Sequence, residues 1–542
     1  MSSPPAHPFI DPSADVVFIS SDRVAFKLHR VILSLASDFF KDMFALPQPD
    51  HPPSGVQAQT DNTSTDAKLD GLSEISMTEP SQVLDTLFRL CYPLDDPPLE
   101  TIDHVGAVLE AALKYELRKA IQMTSRRLRE LIPSAPLRVY AIACKLSLED
   151  EARAAAVVVR EKNVQHEYVE ELEDIPIGAY LRLLYFCETG RDPGGLFFSH
   201  RSSSPRSSTT KKKKSKSSKS AAGGADSLAT SVSVPLPPSS LSEATTPSPP
   251  PTPPRGAYPF DRIDCEVEFE TSDGVRFGVS KDMVSLSSPV LYALIRDLPV
   301  PARVTIPESS KVTDIILRIC SPVESPSGVK TLDLDSALAA ATKYKMPKAI
   351  QFLRRALLAR ADTDAATSLL LYAVACRHGM HDLALVAAKR TFRMELTSSL
   401  YPKVEAIDIS AGYLYRLLEY RRRCRDAVRA ILDVNKTDWI DRGWQPRLAT
   451  CCLSTRSALP CWYGRYIEKM AGEDWPGPAS VVKQEVLQAA LVNLSWYNCS
   501  YCLRENGAIL LYQFGQYVAE TILKLEDQVA LEWPPEVVVG KD

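Results

Sequence analysis

Apolar positions alternate with a period of two at Val16 and Phe18 and again at Val267 and Phe269, which predicts strands with one face turned inward. A turn at Ser21-Asp22-Arg23, or at Ser272-Asp273-Gly274, leads into a second strand, "VAFKL" or "VRFGV". The period then changes. Arg30 to Ala36 and Asp38 to Phe44 read as two short helices, with Ser37 breaking the first and capping the second. A third strand follows, with Ile75 and Met77 inward in one place and Val304 and Ile306 in the other. After it the spacing is helical. Leu84, Leu87, Phe88 and Cys91 step by three and four, as do Val105, Val108, Leu109, Ala112 and Leu113. The expected class is α+β: small sheets capped by helices, then a mainly α region.

The two halves repeat each other. "LFRLCYP" at 87–93 matches "ILRICSP" at 316–322, and "ALKYELRKAIQ" at 112–122 matches "ATKYKMPKAIQ" at 341–351. Both pairs, and the third strands "EISMTE" and "RVTIPE", share an offset of 229 positions. Upstream, "VAFKLHRVILSLAS" matches "VRFGVSKDMVSLSS" at an offset of 251. The 22-residue difference falls in one polar loop, 47–73, present only in the first copy. Further on, "VYAIAC" matches "LYAVAC" and "GAYLRLLYF" matches "GYLYRLLEY". So long a period predicts a duplicated domain pair and not a solenoid.

Between the copies, residues 191–257 are rich in Lys, Ser and Pro, with nothing to build a core, and are expected to be a disordered linker. Composition changes little else. The 542 residues, 45% hydrophobic and 24% charged, carry a net charge of −4. That gives no global field toward nucleic acid or membrane. The late apolar stretch "GAILLYQFGQYVAETILKL" is broken by Gln513, Gln516 and Glu520, so a membrane span is not expected. The opening residues lack a basic and then apolar leader, so a nuclear or cytoplasmic location is expected.

The stretch "DVVF…VAFKLHRVILSLASDFFKDMF", with the later "LFRLCYP" and "AALKYELRKAIQMTSRRL", resembles a BTB (POZ) domain. The helices from 136 to 188 resemble the extension that often follows one. The layout is similar to that of two-copy BTB proteins of mushroom-type (basidiomycete) fungi. The resemblance implies a BTB/POZ-like module with helical extension at 11–190 and a degenerate second one at 258–430, followed by a helical Cys/Trp-containing tail at 431–542. It implies no enzymatic activity and no cofactor. It implies a protein partner: a second copy in a homodimer, copy one with copy two, a cullin, or a corepressor. The family's partner surface falls here on Val31, Ile32, Leu35, Phe39, Phe40, Met43 and Phe44.

Other residues offer candidate chemistry. His29 and Ser37 lack a nucleophile elbow, a third partner and an oxyanion glycine, and Ser280 stands at the histidine's place in copy two. They read as helix-start residues. Lys211, Lys212, Lys213, Lys214, Lys216 and Lys219 form a basic block that suits nuclear import, or simply a solvated linker; without interleaved aromatics, base stacking is not supported. Thr246, Ser248 and Thr252 each precede proline, which suits proline-directed phosphorylation or a stiff spacer. In the tail, Cys451, Cys461, Cys499 and Cys502 offer thiolates for a structural zinc, but not at a regular finger's spacing. Buried thiols are the alternative, as for Cys91, Cys144, Cys187, Cys320 and Cys376 inside apolar helical patterns.

Overall fold

A computed structural model describes residues 8–46, 72–193, 197, 254–323, 326–360, 365–392, 404–449, 459–472, 477–491 and 505–534. Two compact units result, one from residues 1–199 and 357–542, the other from 200–356.

The first unit opens with strands β1 (Val16–Ile19) and β2 (Ala25–Leu28), then helices α1 (Arg30–Ala36) and α2 (Asp38–Ala45), then β3 (Ser73–Ser76). β1 is central, antiparallel to β2 and parallel to β3, with Phe18 opposite Phe26 and Ile75. The alternation expected one inward face. Val16 and Phe18 are buried, but so is Val17, so the central strand is covered on both faces. Met77 lies just past β3, and its N–H still donates to the Ile19 carbonyl at 2.7 Å. Helices α3 (Ser81–Arg89), α4 (Ile102–Lys114) and α5 (Arg118–Glu130) close the module. Phe88 packs edge-on against Phe9, Phe18 and Phe26 at 5.5–5.9 Å, the geometry that aromatic quadrupoles favour.

An all-helical extension follows: α6 (Pro136–Lys145), α7 (Glu149–Lys162) and α8 (Ile177–Thr189). Proline begins α6 where its missing N–H costs nothing, and Gly190 ends α8 in the left-handed conformation at φ 69°. Phe197, inside the polar 191–257 stretch, is fully buried against Tyr140 and Phe186.

In the second unit, β4 (Val267–Glu270), β5 (Arg276–Val279), α9 (Lys281–Ser287), α10 (Pro289–Ile295) and β6 (Ala302–Thr305) keep the first sheet's topology and register. Phe269 faces Phe277 and Val304 as Phe18 faces Phe26 and Ile75. Residues 254–256 run beside β5: the Gly256 N–H donates to the Arg276 carbonyl at 2.8 Å. Helices α11 (Ser310–Cys320), α12 (Thr331–Lys343) and α13 (Pro347–Leu358) follow.

Single hydrogen bonds recur with the topology. The Asp22 carboxylate accepts the Ser81 N–H and hydroxyl at 2.8 and 2.5 Å; Asp273 accepts those of Ser310 at 2.9 and 2.6 Å. Glu79 takes Lys114 and the Tyr115 hydroxyl, and Glu308 takes Lys343 and the Tyr344 hydroxyl.

The first unit is completed by α14 (Ala365–Arg377), α15 (His381–Phe392), α16 (Ala411–Ile431) and a helical tail. In the tail, α17 (Gln445–Ala449), α18 (Tyr463–Ala471), α19 (Gln484–Leu491) and α20 (Glu505–Gln528) surround Phe514. The rings of Trp439, Trp444, Trp462, Tyr463, Tyr466 and Tyr517 stand 5.5–6.0 Å from it. The expected aromatic core is present there, while Trp475 and Trp496 lie outside the described residues. No helix among the described residues is long and apolar enough to cross a membrane.

Candidate protein-interaction face

Ser37 sets the geometry of the first two helices. Its backbone is extended at φ −147°, so α1 stops there. Its Oγ accepts the Phe40 N–H at 3.1 Å, which starts α2. The same Oγ donates to the Tyr115 carbonyl at 2.5 Å, fixing the helix corner to the end of α4. Ser288 does the same in the second unit, accepting from Leu291 at 3.0 Å and donating to Tyr344 at 2.5 Å.

With the corner fixed, helix phase decides which side chains are free. Leu33 and Phe40 point into the core and are fully buried. Val31 and Leu35 are one helical turn apart on the outer face and are 64% and 82% exposed. Phe39 sits edge-on to Phe40 and Tyr115 yet stays 39% exposed. Beside this stripe lies an apolar groove of about 350 Å³, walled by Ile32, Leu35 and Ala36 on one side and Leu90, Leu117 and Ala120 on the other. Asp38 and Arg118 pair at 2.7 Å, both well exposed.

The seven residues assigned to the partner surface therefore divide. Val31, Leu35 and Phe39 are exposed, and Ile32, Met43 and Phe44 are half-buried. Phe40 is a correction. Its ring stacks on Tyr115 at 5.5 Å and meets Phe18 edge-on at 5.6 Å, so it belongs to the core and cannot touch a partner. In the second unit Leu286 keeps Leu35's place at 89% exposure, but Asp282 stands where Val31 does, so a charge interrupts the stripe.

His29 and Ser37 lie at opposite ends of α1. His29 Nε2 is 3.0 Å from the Ser13 hydroxyl and its backbone N–H donates to the Tyr92 hydroxyl at 2.8 Å. Neither serves the other as base or nucleophile.

Sequence reasoning did not single out a second pair of features. A groove of about 560 Å³ between α3 and α4 carries Asp85, Asp95, Asp96 and Glu100 against Arg89 and His104. Its counterpart between α11 and α12, about 440 Å³, carries Lys311, Arg318 and Lys330 against Asp314 and Asp333. Both units have such a groove, and its net charge is opposite in the two. The signal in the sequence lies at matching positions of the 229 offset, with Gln82 set against Lys311, Glu100 against Val329 and Thr101 against Lys330.

The lysines at 211–219 and Cys451, Cys499 and Cys502 lie outside the described residues. Cys461 is half-buried, and among the described residues no His/Cys/Asp/Glu group could hold a metal ion. Burial pushes the Cys91 and Cys144 thiols up to about 12, so both are protonated and unreactive at neutral pH. Cys144 and Cys376 are buried as expected, whereas Cys91, Cys187 and Cys320 are only half-buried.

No curated protein matches the chain significantly. Residues 11–131, which contain the sheet, the Ser37 corner, the exposed stripe and its groove, match the family model of the BTB/POZ domain, a protein–protein interaction module.

Proposed function

We propose that this is a non-enzymatic interaction protein that dimerises through the α1–α2 face of its first module. The observation that carries this reading is the unpartnered stripe Val31, Leu35 and Phe39 beside an apolar groove, inside the segment that matches the BTB/POZ model. BTB domains mediate homodimerisation and cullin binding, and generally have no enzymatic activity. A second copy is the occupant that an apolar, weakly charged face suits best, because the same patch can meet itself across a two-fold axis. Fully burying each of these side chains is worth about 1.5–3 kcal/mol. A stable pair needs roughly 1,200 Å² or more of total buried surface, so neighbouring residues must join in. The 258–430 region is proposed as a second BTB-like module with its own extension. Recurrence of sheet register and of the Ser288, Asp273 and Glu308 hydrogen bonds supports it.

Light scattering on the full chain tests the reading. The wild type is expected at twice the chain mass, and Val31→Asp/Leu35→Glu at the chain mass. A wild type that stays monomeric at every concentration, or a double variant that stays dimeric, would overturn it.

A second reading, a nuclear co-regulator recruiting partners through the same module, is favoured by the lysine block at 211–219. Replacing Lys211 to Lys214 by alanine and imaging a fluorescent fusion tests it. Unchanged distribution would remove it.

A further inference from the structure

The extensions of the two halves meet in a reciprocal contact. At the first residue of α8, the Ile177 N–H donates to the Ile409 carbonyl at 2.8 Å; at the first residue of α16, the Ala411 N–H donates to the Ile175 carbonyl at 2.8 Å. The two bonds bracket an antiparallel bridge between Pro176 and Ser410. These are matching residues of the repeat, each three positions or fewer from Gly178 or Gly412 in "GAYLRLLYF" and "GYLYRLLEY". α8 and α16 then pack on each other.

The side chains around the bridge follow the exchange in their arginines and glycines and only approximately in their carboxylates, since Glu405 matches Glu171 and not Glu173 in this register. Arg182 of the first half pairs with Glu405 of the second, and Arg416 of the second pairs with Glu173 of the first at 2.6 Å. Arg416 is only 7% exposed. Gly178 lies under the Glu405 side chain and Gly412 under that of Glu173, so a Cβ at either position would collide with the opposing carboxylate. The supports recur as well: the Tyr140 hydroxyl donates to the Ala179 carbonyl at 2.7 Å, and the Tyr372 hydroxyl to the Tyr413 carbonyl at 2.9 Å.

A contact in which patch A meets B and B meets A through equivalent residues has the form of an isologous dimer interface. We propose that this seam is a homodimer-type contact internalised within one chain: the first half's extension takes the second half's as its partner, which closes this surface to a second copy. Tethering favours that outcome, because joined partners meet in an intramolecular step that does not depend on chain concentration. The inference does not rest on the α1–α2 face, which lies elsewhere on the first module.

The test uses the full chain carrying Pro176→Cys and Ser410→Cys. Pro176 and Ser410 form a non-hydrogen-bonded antiparallel pair, whose Cα separation of about 4.5 Å suits a disulfide. ¹⁴N- and ¹⁵N-labelled chains are mixed, oxidised mildly and mapped by mass spectrometry for the 176–410 linkage. Linked peptides of one isotope only are expected, whatever the dimer state. Light–heavy linked peptides at the statistical half would overturn the proposal, as would absence of the linkage. Gly412→Val supplies a second readout on a chain of unaltered thiols: faster amide hydrogen exchange at 175–189 is expected, and unchanged exchange there would overturn it. Loss of the dimer in Val31→Asp/Leu35→Glu with the single-isotope linkage intact would separate this proposal from the dimer reading.

Discussion

The Ser37 hydroxyl donates to the Tyr115 carbonyl at 2.5 Å across 78 residues, while accepting the Phe40 N–H at 3.1 Å. One oxygen thus starts a helix and ties it to another. Ser37→Ala removes the cap and leaves the buried Tyr115 carbonyl without this donor. A loss of about 1–3 kcal/mol is expected, measured by urea unfolding of the full chain. Ser37→Thr, which keeps the hydroxyl, is expected to lose less.

Phe39 and Phe40 are adjacent and predict opposite phenotypes. Phe40→Ala empties a fully buried aromatic site and is expected to cost about 3–5 kcal/mol in thermal unfolding. Phe39→Ala is expected to leave the unfolding curve within about 1 kcal/mol of wild type and to weaken association in analytical ultracentrifugation.

Two left-handed positions are occupied by residues with a Cβ where the matching position in the other half of the chain has glycine. Arg23 has φ 62° where Gly274 has φ 78°, and Ser147 has φ 59° where Gly379 has φ 61°. Left-handed backbone costs a non-glycine residue about 1–2 kcal/mol, against which glycine's greater freedom when unfolded counts about 0.5–1 kcal/mol. Arg23→Gly and Ser147→Gly are each expected to raise stability slightly, by about 0.5 kcal/mol, read as a rise in the denaturation midpoint.

Hydrogen bonds from Ser20 and Ser81 hold the Asp22 carboxyl at about 2, and those from Ser310 and Thr271 hold Asp273 at about 2, both below the ordinary value of 3.8. A folded-state value below the unfolded one stabilises the protein above the unfolded value, and that contribution is lost as pH falls through the folded value. Acid unfolding is therefore expected to begin below about pH 4 and to progress toward pH 2. Asp22→Asn/Asp273→Asn is expected to lower stability at pH 7 and to flatten its pH dependence over that window, followed by circular dichroism. Both side chains are close to solvent, so the effect is modest.

Cys144 and Cys376 are expected to resist iodoacetamide in the folded chain at pH 8 and to react after unfolding. Burial raises both thiols, that of Cys144 to about 12. Rapid labelling of either by mass spectrometry would contradict their place in the core.

The elements were legible because each is short and strongly patterned. Arg30 to Ala36 is a helix as expected, and the second helix runs one residue beyond the expected Phe44. Ser37 announced the break between them. Its bond to Tyr115 was not legible, because local spacing carries no record of a partner on another helix. The division of Phe39 from Phe40 needed the phase of an eight-residue helix, which two adjacent aromatics cannot fix. Alternation turns Val16 and Phe18 inward but does not foretell the burial of Val17, because the rule fails for a strand covered on both sides. The contact of α8 with α16 was hidden because α8 is apolar around most of its circumference, while the charged sequence of α16 reads as a solvated helix although Arg416 is buried. An apolar pattern reports burial and is silent about what does the burying.

The glycines under Glu173 and Glu405 set a limit on how far the two halves can drift apart. A substitution at Gly412 must displace the Glu173 carboxylate that pairs with Arg416, and one at Gly178 the Glu405 side chain that pairs with Arg182. No such displacement is required at Val31 and Asp282, where the copies already differ in charge. Mutational tolerance should therefore be correlated between distant positions along the seam and independent on the outer helices, giving each half freedom to acquire its own partner while neither can abandon the other.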